Sequence, residues 1–372
     1  MRNFLARGVA VGAVALLALG TAACGGSERE GTTGSGGDAA AKGFPANSLI
    51  GVALPSKTSE NWVLAGDLFT NGLKEAGFQA DVQYAGASST VADQQAQISS
   101  MTTKGAKVIV IGATDAAQLS TQVEAAQAAG AKIIAYDRLI TNTAAVDYYI
   151  AYDNFKVGQL QGQALLDGMK AKKATGPWTI ELFAGSSDDN NSKVFFDGAM
   201  DVLKKEIDAG NVVVGSGQTD IKQANTEGWK AENAQRRMDS LLTSTYTGNK
   251  APDGVLSPND TLARAIIQSV KSAGKPIPVV TGQDSEVESV KSIVAGEQYS
   301  TINKDTRKLV ADTITMVKAL QAGNEPAVND KESYNNGTKV VPAQLLPPLI
   351  VTKANVVEAY ANDPKLAPLT KG

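Results

Sequence analysis

Short apolar runs alternate with longer amphipathic stretches along most of this 372-residue chain, and that alternation restricts the fold more than any other feature. Leu49–Leu54 reads as a buried strand and Glu60–Ala76 as a helix stopped by Gly77. Gln79–Tyr84 is a strand, and Thr90–Lys104 is a helix ended by Gly105. Lys107–Ile111 is a strand, Ala116–Ala129 a helix closed by Gly130, Lys132–Tyr136 a strand and Tyr148–Ala151 another. Strands separated by helical patterns of this length predict a parallel sheet with helices on both faces.

The rhythm then restarts. Helices are expected over Phe155–Met169, Ser192–Ile207, Gly228–Leu242, Leu262–Ala273, Ser285–Ala295 and Thr306–Leu320. Strands are expected at Trp178–Phe183, Val212–Val214, Gly254–Leu256, Pro278–Val280 and Tyr299–Ile302, with short late strands at Val340–Pro342 and Leu349–Val351. So many strands exceed one comfortable doubly wound sheet at this length. The expectation is therefore α/β, with two similar doubly wound parallel-sheet lobes.

In such sheets ligands bind beyond the carboxyl ends of the strands. Ile133–Ile140 (I-I-A-Y-D-R-L-I) shows the pattern: a buried strand, then Asp137 and Arg138. Asn61 and Trp62 follow the first strand, and Asp115 follows Ile111. Gly185–Asn191, including Asn190, follows Phe183; Asn259 follows Leu256; Asp284 follows Val280; Lys304 follows Ile302. Trp229 is a second aromatic candidate. Taken singly, Asn and Asp suit turns and helix caps, Asp260 suits a cap, and a lone Trp suits the core. As a set they suit a sugar, whose hydroxyls donate and accept and whose C–H face packs on an indole.

Composition removes other chemistries. The chain has no histidine, which excludes His-based acid–base catalysis, Ser-His-Asp and Cys-His nucleophiles and imidazole metal sites. Its one cysteine, Cys24, excludes a disulfide framework and a CxxC zinc site. The net charge of −3 and the lack of a basic run give nucleic-acid binding no support. Gly215–Asp220 begins like GxGxxG but lacks the third glycine, and Ala273–Pro276 is no Walker loop. No cofactor is implied. Carboxylates are plentiful enough to leave a glycosidase pair open.

The N-terminus carries Arg2 and Arg7, a short apolar run over Val9–Leu19, and small residues before Cys24. It resembles a bacterial lipoprotein signal in which Cys24 becomes the lipidated first residue, with Thr21 where a leucine is usual. Ser27–Lys42 reads as a flexible tether of about 20 Å root-mean-square span. An exported chain tied to the membrane through a lipid anchor alone is expected.

The strings Tyr136–Ile140, Gly185–Asn191, Asp197–Met200, Ser257–Asp260, Gly282–Asp284 and Lys304–Arg307 resemble the periplasmic sugar-binding proteins of ABC transporters. The resemblance is nearest to the multiple-sugar and xylose-binding receptors and covers Leu49–Lys365. It implies a type I periplasmic-binding-protein fold with two lobes joined by a three-segment hinge, and one monosaccharide in the cleft. The implied arrangement is a signal at 1–23, tether at 24–47, first lobe at 48–152 plus 303–338, and second lobe at 153–302 plus 339–365. Trp62 and Trp229 would flank the ring. Asp137, Arg138, Asn190, Asn259, Asp284 and Lys304 would bond its hydroxyls, with Asp115 a further contact. The family often has Arg-Trp where this chain has Asn61-Trp62, a change that removes a bidentate donor for the ring oxygen or a C6 carboxylate. The implied role is a monomeric, non-enzymatic receptor that delivers an aldose to an ABC permease. A sugar-sensing subunit presenting ligand to a membrane receptor or kinase, and a secreted glycosidase, are the alternatives. A sugar-responsive repressor would need a DNA-binding headpiece where this chain has a signal and tether.

Overall fold

The computed structural model describes residues 43–371, except 58 and 87–89. Cys24 and the expected signal and tether up to residue 42 lie outside the described residues.

The first half runs β1 (Leu49–Leu54), α1 (Glu60–Glu75), β2 (Gln79–Tyr84), α2 (Val91–Thr103), β3 (Val108–Ile111), α3 (Ser120–Ala128), β4 (Lys132–Tyr136) and β5 (Tyr148–Tyr152). The second half runs α4 (Asn154–Lys172), β6 (Trp178–Leu182), α5 (Asn190–Asp208), β7 (Val212–Val214), α6 (Ile221–Ala224), α7 (Ala231–Ser244), β8 (Gly254–Leu256), α8 (Asp260–Ser272), β9 (Val279–Val280), α9 (Val287–Ala295) and β10 (Ser300–Asn303). The chain ends through α10 (Thr306–Gln321), β11 (Ala343–Leu346), β12 (Leu349–Thr352) and α11 (Val356–Ala359).

The first sheet has the order β11-β5-β4-β3-β1-β2 and is parallel throughout. Apart from exposed Lys132 at the start of β4, its central strands are apolar because both faces are covered. Alternate residues serve opposite cores: Ile109, Ile111, Ile133 and Tyr149 pack on one side. Val108, Val110, Ile134 and Ile150 pack on the other, with α1 and α10. The second sheet, β7-β6-β8-β9, repeats the design on a smaller scale. β10 continues it beside β9, since Tyr299 N donates to Val280 O at 3.0 Å and Asp284 N to Ile302 O at 2.9 Å. In both sheets the strand order reverses beside the first strand, between β1 and β3 and again between β6 and β8. Those reversals open the crevices in which α/β sheets hold ligands.

Among the described residues the chain crosses between the sheets three times: from β5 to α4, from β10 to α10, and from β11 to β12. The last crossing corrects the expected layout. The late strand forms at Ala343–Leu346, not Val340–Pro342, and it pairs with β5 of the first sheet. Residues 339–346 therefore sit with the first lobe, and β12 returns to pair antiparallel with β10. α4 and α5 cross at glycine: a Cβ on Gly158 would overlap Phe195 O, and one on Gly198 would overlap Phe155 O.

Candidate ligand-binding cleft

A cavity of about 550 Å³ lies where the carboxyl ends of both sheets meet. The lobes touch across it. Ala116 N donates to Asp188 O at 3.0 Å, and Asn61 Nδ2 to Asp284 O at 3.4 Å.

Two indoles lie at the cavity wall, each seated on a glycine. Trp62, in the first turn of α1, packs against Gly112 after β3, where a Cβ would come within 2.9 Å of the ring. Its edge meets Tyr136 at a 6.1 Å centroid separation. Trp229 lies against Gly185 after β6, where a Cβ would overlap the indole outright. The helix expected from Gly228 instead breaks here. Trp229 has a left-handed φ of 55°, and α7 starts only at Ala231. That kink is what turns the ring into the cavity lining instead of continuing the helix.

Between the indoles stand charged groups from both lobes. Lys304, just past β10, places Nζ 3.0 Å from Asp284 Oδ1 and 4.0 Å from Asp137 Oδ1. Burial pulls this ammonium down, yet Asp284 and Asp137 hold it above the ordinary lysine value. Both carboxylates sit on left-handed backbone, φ 60° at Asp137 and 95° at Asp284. Such strain persists only where the surroundings enforce it. At Asp137 the carbonyl is gripped by Asn191 Nδ2 and Tyr149 Oη, both at 2.8 Å. At Asp284 the following turn is held by buried Asp260, which accepts from Glu286 N at 2.9 Å and from Thr301 Oγ1 at 3.0 Å. Burial, then Glu286 and Asp284, raise the Asp260 carboxyl well above the usual range.

Arg138 lies over the Trp62 ring at 5.4 Å, pairs with Asp189 Oδ2 at 3.1 Å and donates to Ala113 O at 3.1 Å. Burial raises the Asp189 carboxyl, and Arg138 opposes that shift. Glu286 lines the cavity and pairs with Arg264 Nη2 at 2.6 Å. Asn259 caps α8 through Oδ1, accepting from Leu262 N at 2.9 Å, so its NH₂ is the group left for the cavity.

Eight of the ten residues singled out from sequence line this cavity: Asn61, Trp62, Asp137, Arg138, Trp229, Asn259, Asp284 and Lys304. Asp115 does not. Its carboxylate closes a local turn onto Ala117 N and Gln118 Nε2, and Thr114 lines the wall in its place. Asn190 does not either; its neighbour Asn191 does. The phase of α5 decides between them, because Asn191 lies four residues before buried Phe195 and shares its inner face. Tyr136, Asp189, Gln283 and Glu286 also line the wall and were not singled out.

The family of periplasmic binding protein domains matches residues 50–325. The multiple sugar-binding periplasmic receptor ChvE of Rhizobium radiobacter is 49% identical over 311 residues, covering 82% of this chain and 87% of that protein. The D-xylose-binding periplasmic protein of Escherichia coli K12 is 35% identical, covering 84% and 89%. Among solved structures, an ABC transporter solute-binding protein of Clostridium phytofermentans with bound β-D-glucose superposes with a TM-score of 0.83. It is 38% identical and covers 87% of this chain and all (100%) of that one.

Proposed function

The chain belongs to the periplasmic binding protein family, and from that premise we propose that it captures a monosaccharide outside the cytoplasm and delivers it to an ABC permease. The observation that carries this reading is the wall of the cleft. Two indoles from different lobes enclose a set of carboxylate, amide, guanidinium and ammonium groups at the switch points of both sheets. Vicinal hydroxyls saturate such groups, and the C–H face of a pyranose covers an indole. The glucose bound by the Clostridium phytofermentans relative supports the same ligand class.

In this reading Trp62 and Trp229 flank the ring. Asp137 and Asp284, both beside Lys304, accept from hydroxyls, and Arg138, Asn259 and Asn191 donate. Asn191 replaces Asn190, and Asp115 drops out. No covalent step is required. The sugar joins the two lobes, stabilises the closed form, and the permease reads that form. Attachment at the outer face of the membrane through lipidated Cys24, and action as a monomer, belong to the same proposal.

A thermal-shift panel of xylose, arabinose, glucose, galactose and ribose tests it. A ligand at a hundred times its Kd adds about 2.7 kcal/mol to stability, a readily measured shift. One or two aldoses should raise the melting temperature. A curve unmoved by all five would contradict the aldose reading.

A further inference from the structure

We infer that this cleft selects by charge: it admits neutral sugars and turns away their uronic-acid counterparts. The inference rests on the sugar reading above and adds the class of sugar. It follows from how the cations of the wall are spent. Among the described residues, three basic side chains line the cavity: Arg138, Lys230 and Lys304. Arg138 is tied to buried Asp189 at 3.1 Å, and Lys304 to Asp284 at 3.0 Å with Asp137 at 4.0 Å. Lys230 stands exposed at the rim, two residues from the equally exposed Glu232. Asp188 lines the same wall, and Glu286 is satisfied from behind by Arg264, which does not face the cavity.

A uronate differs from its hexose by an ionised carboxylate at C6. Entering the interior of this cleft, that group loses its water and meets Arg138 and Lys304, two cations already paired with acids of the wall, while Lys230 stays exposed to solvent. A buried charge without its own partner is strongly disfavoured. A neutral hydroxymethyl group meets no such cost. The unspent N–H groups of Arg138 and the NH₂ of Asn259 still donate to hydroxyls. In the first turn of α1 Asn61 supplies an amide, donating to Asp284 O, and adds no charge.

Calorimetric titration of the purified protein with two matched pairs tests this: D-glucose against D-glucuronate, and D-galactose against D-galacturonate. For whichever hexose binds, the uronate should bind at least about thirtyfold more weakly, about 2 kcal/mol at tenfold per 1.4 kcal/mol. Asp189→Asn keeps a good cap for α5, since Asn and Asp cap comparably, but it releases the charge of Arg138. In that variant the hexose-to-uronate ratio should narrow at least threefold. A uronate binding within about threefold of its hexose to the unmodified protein would overturn the inference and leave the sugar reading standing. So would a ratio unchanged in a folded Asp189→Asn protein. No binding of either hexose or either uronate, with pentoses also silent, would sink the sugar reading and the charge selection with it.

Discussion

Lys304 is held by two acids of different lobes, Asp284 at 3.0 Å and Asp137 at 4.0 Å, with only a tenth of its side chain exposed. Removing one partner from such a buried cluster leaves uncompensated charge and costs about 3–5 kcal/mol. Lys304→Met is therefore expected to lower the melting temperature of the free protein and to weaken sugar binding at least a hundredfold, read by scanning calorimetry and titration. Asp260 gives a pH prediction. Burial, then Glu286 and Asp284, raise its carboxyl above the unfolded value, which is about 3.9. The folded chain then takes up this proton before the unfolded chain does, so stability rises as pH falls toward the unfolded value. Asp260→Asn has no such proton to bind. The melting temperature of the wild type relative to this variant should increase between pH 7 and pH 5. A difference that stays constant or shrinks would show that Asp260 titrates normally.

At the scale of elements, most strands were legible because they are short apolar runs ended by polar residues. Predicted and observed bounds coincide for Gln79–Tyr84, Lys132–Tyr136 and Gly254–Leu256. What sequence could not show were features set by tertiary contact. The break before α7 depends on the left-handed Trp229, which the uninterrupted helical pattern of Gly228–Leu242 conceals. Ala343–Leu346 forms a strand because β5 offers an open edge, and no local pattern marks it over Val340–Pro342. The choice of Asn191 over Asn190 was within reach, since counting back four residues from Phe195 finds the inner face. The crossing of α4 and α5 makes its own prediction. Gly158→Ala places a methyl group on the Phe195 carbonyl, where neither backbone can give way locally. Overpacking of this kind costs about 1–3 kcal/mol or more. The variant should melt at a visibly lower temperature, while an unchanged melting point would mean the helices separate freely.

For the whole molecule, three chain crossings join two sheets whose ligand-binding edges face one cavity. The groups that bridge them near the crossings come from both lobes: Asn191 and Asn154 from α5 and α4, Tyr149 from β5, and the carbonyl of Asp137. A sugar that bonds to Asp137 in one lobe and Asp284 in the other favours the closed form by its differential affinity for that form and no more. The two-lobe layout was readable from the restart of the βα rhythm after Tyr152. The path of the last crossing was not, because it depends on which sheet edge the chain meets.

A sugar bound in this cleft lies between Trp62 and Trp229. The chain has three tryptophans, and the third, Trp178, opens β6 and donates to Lys173 O outside the cavity wall. A fluorescence titration of Trp178→Phe with D-glucose, D-galactose, D-xylose and L-arabinose therefore reports on the two cleft indoles alone. A saturable change in emission with one equivalent of at least one aldose, at the Kd that calorimetry gives for the same sugar, is the expected result. A sugar that binds by calorimetry yet leaves both indoles unaltered would place the ligand elsewhere and contradict it.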